Sequence, residues 1–194
     1  YGGVLDLGAG KDLLNSQSAD GYGIYNGYGG IIDLGSGNDT LNTQSVTNYG
    51  YYGYAGSLLD TGSGNDKVDI YSSDSYGLYN YEGALSFGVG NDLLTTRSED
   101  DYGAYLYYGT VSFGDGNDTW VTSSTNASGL YTSGSAVSFG DGDDALTATA
   151  TLSGGYGAYI YNYTSVDFGD GDNVARFSAV DNYGLYTSSA SIVF

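Results

Sequence analysis

Apolar and polar residues alternate in short bursts along this chain, and the bursts recur at a fixed period. Each burst leads into a Gly-x-Gly pair: Gly8/Gly10, Gly35/Gly37, Gly62/Gly64, Gly88/Gly90, Gly114/Gly116, Gly140/Gly142 and Gly169/Gly171. Successive pairs are 27, 27, 26, 26, 26 and 29 residues apart. Three residues before each first glycine stands an aliphatic side chain: Leu5, Ile32, Leu59, Leu85, Val111, Val137 or Val166. The residue between is Asp or Ser, and the one just before the glycine is Leu, Thr or Phe. Apolar, polar, apolar is the period of a strand with one buried face. A second inward column follows the turn at Leu14, Leu41, Val68, Leu94, Trp120, Leu146 and Ala175. A third segment reads Tyr-Gly-x-Tyr, with Ser128 replacing the first tyrosine in one copy. The residue after its glycine (Ile24, Tyr51, Leu78, Ala104, Leu130, Ala158, Leu185) suits the interior.

Three strands and three corners per repeat, with glycine throughout and apolar spacing of two, exclude helices. Self-similarity at this period signals stacked repeats. The pattern predicts an all-β, right-handed parallel β-solenoid of about seven coils of 26–29 residues, with three short strands per coil. Like residues then stack on like, roughly 4.8 Å apart. An antiparallel sandwich gives no reason for columns this regular. Residues 1–194 read as one uncapped solenoid, because neither end shows a polar, atypical capping repeat. The expectation is a segment or subunit of a longer rod or filament.

Composition narrows the chemistry. The chain has 34 Gly and 23 Tyr but no Pro, Cys, Met or His. The usual nucleophiles, bases and soft metal ligands are therefore missing, and no catalytic residues are expected. A β-helix enzyme also builds its site on irregular insertions, and the longest here is the few extra residues near Gly154-Gly155. The formal charge is −19, with only Lys11, Lys67, Arg97 and Arg176 basic. Such a chain repels nucleic acid and anionic membranes and attracts cations. No apolar run approaches a membrane span, so no membrane insertion is expected.

Those cations have an evident place to bind. In Gly35-Ser36-Gly37-Asn38-Asp39-Thr40-Leu41 and its six counterparts, tight glycine turns sit beside carboxylates. The turn resembles the RTX nonapeptide, Gly-Gly-x-Gly-x-Asp-x-apolar-x, at its second, fourth, sixth and eighth positions. Its first glycine is Leu, Thr or Phe here, and the motif comes once per coil rather than twice per coil of about 18 residues. The resemblance implies Ca²⁺ held between coils by carboxylates and loop carbonyls, hard oxygens that suit this ion. Carried over, the ligands are Asp12, Asp39, Asp66, Asp92, Asp118 and Asp144, with Asn173 in the seventh copy. Asp115, Asp141, Asp143, Asp170 and Asp172 add acidity to the later turns, where affinity is expected to rise. The other reading needs no metal: Asn and Asp simply make good corners. Against it stands the repulsion of aspartates stacked at about 4.8 Å, roughly 1 kcal/mol per neighbour in water.

The final residue of Tyr-Gly-x-Tyr is tyrosine in every copy: Tyr25, Tyr52, Tyr79, Tyr105, Tyr131, Tyr159 and Tyr186. Strand parity turns these outward as a stacked ladder, which Tyr54, Tyr81, Tyr107 and Tyr161 widen. It is either an adhesive face or the stabilising surface of a parallel sheet. Thr43, Thr95, Thr96, Thr122 and Thr147 read as ordinary strand surface rather than an ice-binding array. Two functions follow. The first is a structural calcium-binding rod of an extracellular filament, surface layer or adhesin stalk, self-associating through coil ends and the tyrosine face. Its repeats resemble those of large secreted bacterial, including cyanobacterial, RTX-like surface proteins. The second is a carbohydrate- or surface-binding module that grips polysaccharide with the tyrosine ladder.

Overall fold

A computed structural model describes residues 2–194. Among the described residues there are 22 strands and no helix, and the strand ladders are parallel. The first coil holds β1 (Val4–Asp6), β2 (Leu13–Ser18) and β3 (Ile24–Gly27). The second holds β4 (Ile31–Asp33), β5 (Thr40–Ser45) and β6 (Tyr51–Tyr54). This cycle of short, long and intermediate strands repeats to the final strand, Ser191–Val193. The strands assemble into three sheets of eight, seven and seven strands, each ordered coil by coil. The chain is thus a parallel β-solenoid of about seven turns with three strands per coil, as the periodicity predicts.

Register follows the sequence columns. Leu5 pairs with Ile32, Ile32 with Leu59, and so on to Val166 with Ile192. Leu14, Leu41, Val68, Leu94, Trp120, Leu146 and Ala175 form the second column. A slip of one residue would turn every one of these side chains outward, so the pattern allows one register. The residues preceding each corner glycine stack in the centre. Phe87, Phe113, Phe139, Phe168 and Phe194 stack with nearly parallel rings and centroids 4.6–4.7 Å apart. Thr61 occupies the same column and satisfies its hydroxyl on the Phe87 carbonyl at 3.0 Å. The sole tryptophan, Trp120, is fully buried beside Phe113 and donates its indole N–H to Thr96 Oγ1 at 3.3 Å.

The interior is not uniformly apolar. Thr43, Thr96 and Thr122, read from sequence as surface, are buried. Alternation explains the difference: each stands two residues after the inward apolar residue of its long strand, and parity returns it to the inside. The Thr43 and Thr122 hydroxyls bond the carbonyls of Gly50 and Gly129 at 2.7 and 2.6 Å. Asn26 and Asn80 are buried as well, and Asn26 Nδ2 reaches the hydroxyl of buried Tyr51 at 3.1 Å. The second corner carries a serine column. Ser45, Ser72, Ser98 and Ser124 each donate to a carbonyl of the preceding coil and accept a backbone N–H three residues on. The terminal coils have one neighbour each, and Leu5, Leu13, Leu185 and Phe194 are exposed there.

The glycines of the first corner are required by contact between coils. Gly90 has φ +143°, and a Cβ built on it would lie 1.7 Å from the Gly64 carbonyl oxygen of the coil below. The equivalent distances along the stack are 1.5–1.9 Å. Gly90→Ala is expected to cost at least about 3 kcal/mol, because left-handed strain and a backbone clash add. Urea unfolding followed by Trp120 fluorescence measures this; an unchanged midpoint would show that the coils are free to separate locally.

Candidate functional site

The first corner places two polar columns side by side. In the inner one, Oδ1 of each aspartate accepts the backbone N–H of the equivalent aspartate one coil earlier. Asp12 N–H donates to Asp39, Asp39 to Asp66, Asp66 to Asp92, Asp92 to Asp118 and Asp118 to Asp144, at 2.7–2.8 Å. In the outer column the direction is reversed. Oδ1 of Asn38, Asn65, Asn91 and Asn117 accepts the N–H of the equivalent residue one coil later, at 2.7–2.9 Å. Every interior coil is therefore clasped from both sides. This outer ladder is the stacked asparagine column that the metal-free reading of the corner expects, signalled by the recurring Gly-Asn-Asp of the middle turns.

The inner carboxylates are buried. Asp39, Asp66, Asp92, Asp118 and Asp144 are at most 2 % exposed. Oδ2 of each, and of Asp12, is buried with no hydrogen-bond partner. Asn173 takes the aspartate's place on the seventh rung and accepts from Asp144 N–H at 2.8 Å in the same manner. Its Nδ2 lies 3.3, 3.4 and 3.5 Å from the carbonyl oxygens of Phe168, Gly169 and Gly171. An aspartate on such a rung puts an acceptor-only oxygen where asparagine puts a donor. That cup of oxygens is satisfied by a proton on Oδ2 or by a cation among the oxygens.

Burial accordingly pushes the carboxyls of Asp66 and Asp144 up from their ordinary value. Asp118 is pushed up to about 6 and Asp92 to about 7, chiefly by desolvation, with the neighbouring carboxylates adding repulsion. The N–H bond on Oδ1 opposes this in each case.

The remaining acidic candidates stand apart from the cup. Asp115, Asp141 and Asp170 are exposed between the two glycines of their turns, and Asp143 and Asp172 are exposed in the outer column. Asp143 Oδ1 there accepts Asp172 N–H at 2.9 Å. Among the described residues no group of three or more carboxylates gathers to hold a metal ion. A cation at this corner would rest on backbone oxygens supplemented by one inner carboxylate from a coil.

The tyrosine ladder is continuous. Tyr25, Tyr52, Tyr79, Tyr105, Tyr131, Tyr159 and Tyr186 follow one another at centroid distances of 4.6–5.3 Å. A second column lies against it, formed by the first tyrosine of the motif: Tyr22, Tyr49, Tyr76 and Tyr102, then Tyr156 and Tyr183. The sequence displayed this column in the same motif, but parity did not assign it to the face. Tyr54, Tyr81 and Tyr107 stack as a third column at 5.2–5.3 Å. Mutual shielding raises the hydroxyl of Tyr79 to about 12 and those of Tyr49, Tyr102 and Tyr105 as well. Compared with known proteins, this chain matches no family model, no curated protein and no solved structure.

The raised carboxyls fix the sign of a pH dependence. An unfolded aspartate titrates near 3.9, so the folded stack prefers its protons. The stability they contribute is complete below about pH 4 and is lost as pH rises through about 6 and 7. In the presence of chelator, the urea midpoint is expected to be lower at pH 8 than at pH 5. Asp92→Asn carries its own donor, as Asn173 does, and is expected to shrink that difference. An equal or higher midpoint at pH 8 would contradict the buried, unpartnered oxygens.

Proposed function

We propose that this chain is a structural β-solenoid, a calcium-stabilised rod segment of an extracellular filament, surface layer or adhesin stalk. The observation that carries the reading is the column of buried Asp Oδ2 atoms without partners, on rungs where Asn173 turns a donor toward three carbonyl oxygens. Hard oxygens from carbonyls and a carboxylate are the donor set that Ca²⁺ takes, with ligands at about 2.3–2.6 Å. The residues present therefore fit the ion. Asp39, Asp66, Asp92, Asp118 and Asp144 would hold it together with the corner carbonyls, and it would supply the positive charge that lets stacked carboxylates ionise. The resemblance to RTX turns supports the same assignment.

The rest of the chain agrees with a scaffold. Calcium is plentiful outside cells, so folding tied to the ion would follow export. A net charge of −19 is relieved by cations along the corner. Tyrosine columns at regular spacing offer a lateral face for other rods.

Calcium is expected to raise the urea midpoint at pH 7.5 and chelator to reverse it. One site at a hundredfold excess over its Kd adds about 2.7 kcal/mol. Asp92→Asn with Asp118→Asn is expected to remove a large part of the response while preserving the β spectrum. Sedimentation and negative-stain micrographs of the same samples are expected to show unbranched polymer. A midpoint indifferent to millimolar calcium would overturn the ion assignment, and dispersed monomers at every calcium concentration would overturn the filament.

A further inference from the structure

Two irregularities in an otherwise regular stack fall at the same place on the tyrosine face. The second tyrosine column runs Tyr22, Tyr49, Tyr76, Tyr102, but its next rung is Ser128, and tyrosine resumes at Tyr156. Coil pairing confirms that Ser128 is the missing rung, since Gly103 N–H bonds the Ser128 carbonyl and Gly129 N–H bonds that of Tyr156. The coil carrying Tyr156 also contains the insertion around Leu152-Ser153-Gly154-Gly155, which bulges out beside the gap. At three other rungs the N–H of this tyrosine bonds the preceding side chain, Tyr49 on Asn48, Tyr102 on Asp101 and Tyr183 on Asn182. Tyr156 N–H instead bonds Ser128 Oγ at 3.0 Å, so the insertion and the serine are coupled.

The result is an open recess of about 310 Å³, with Tyr102, Tyr131, Tyr156 and Tyr159 as aromatic walls and Asn126 at the rim. Tyr131 is held rigidly. Its ring stacks on Tyr159 at 5.2 Å and lies 4.9 Å from Tyr102, and its hydroxyl donates to that of Tyr161 at 3.0 Å. With no ring on the rung between them, Tyr102 and Tyr156 each lack the neighbour that the rest of the column has. The missing side chain is one ring in size, and its surroundings are aromatic with amide and hydroxyl groups at the edge.

We infer that this recess is a binding subsite for one pyranose ring of a neutral polysaccharide. The C–H faces of a sugar pack on aromatic rings, while its hydroxyls exchange hydrogen bonds with an amide and phenols. Charge selects a neutral ligand. Asn126 Nδ2 is bonded to Asp100 at 2.7 Å, and Asp101 adjoins Tyr102. These carboxylates oppose uronate or sulfated chains. The subsite rests on the tyrosine face alone and is independent of calcium and of polymer formation.

The test uses the intact chain with a panel of neutral hexaoses of glucose, mannose and galactose, followed by saturation-transfer NMR and titration calorimetry. At least one is expected to bind. Ser128→Tyr restores the regular column and is expected to weaken binding about tenfold, the equivalent of one stacking contact. Its β spectrum should be retained, since six other coils carry tyrosine at this rung, while loss of the Ser128 hydroxyl from Tyr156 N–H lowers the urea midpoint modestly. Asn126→Ala, at an exposed position, tests the rim without touching the core and is expected to weaken the same hexaose. Tyr186→Ala, outside the recess, should leave binding intact. Binding of none of the hexaoses overturns the inference, as does equal binding by the Ser128→Tyr and Asn126→Ala variants. Loss of concentration-dependent self-association in Ser128→Tyr, without loss of sugar binding, would instead identify a second copy's aromatic side chain as the occupant.

Discussion

Everything in this molecule depends on how closely consecutive coils approach at the glycine corner. The carbonyls of Gly8 and Gly10 point at the Cα atoms of Gly35 and Gly37, and the contact recurs in every coil. A Cβ on either glycine would stand 1.5–1.9 Å from that carbonyl oxygen. Only glycine permits this approach, and the positive φ of both residues reinforces the choice. With the corner closed to sheet spacing, the three sheets have no freedom of register. The apolar columns, the phenylalanine stack and the buried threonines then fall into line, each residue paired with its counterpart one period away.

In-register stacking also forces like charge onto like, and the first corner shows how that is managed. One carboxylate oxygen of each inner aspartate is used to clasp the preceding coil, while the outer asparagines clasp the following one. The second carboxylate oxygen is left buried without a hydrogen-bond partner. Asn173 shows that an amide solves the same geometry without help. That six rungs carry aspartate instead ties the stability of the corner to whatever supplies a positive charge or a proton. The corner is therefore both the seam that holds the coils and the place where solution conditions act on them.

The outer surface follows the same logic with aromatic rings. Three columns of tyrosine cover one sheet and its flank because identical rings one coil apart stack without adjustment. Regularity makes such a face an extended platform, and a departure from it makes a discrete site. Ser128 and the insertion before Tyr156 break the repeat together, and the recess they leave is lined by the rings that regularity put in place. Solenoids carry insertions on one face without disturbing the core, since each coil contacts only its neighbours.

The sequence by itself determined the architecture. A period of 26–29 residues, alternation on either side of each Gly-x-Gly and matching apolar columns leave a parallel stack with three strands per coil as the economical solution. It also determined which tyrosines line the main ladder, because parity assigns inside and outside residue by residue. Strand parity continued two residues past Leu41, Leu94 and Trp120 brings Thr43, Thr96 and Thr122 inside, where their hydroxyl chemistry alone suggests surface. What only the tertiary structure decided is how neighbouring coils use their polar groups. Adjacent Asn and Asp look equivalent as liganding residues, yet one turns toward the next coil and the other toward the last, and burial reaches only the inner one. The late-turn acids Asp115, Asp141 and Asp170 look like added ligands in sequence, but the turn directs them to solvent. Side-chain direction at a corner depends on the coil above and the coil below, so it has no signature within a single repeat.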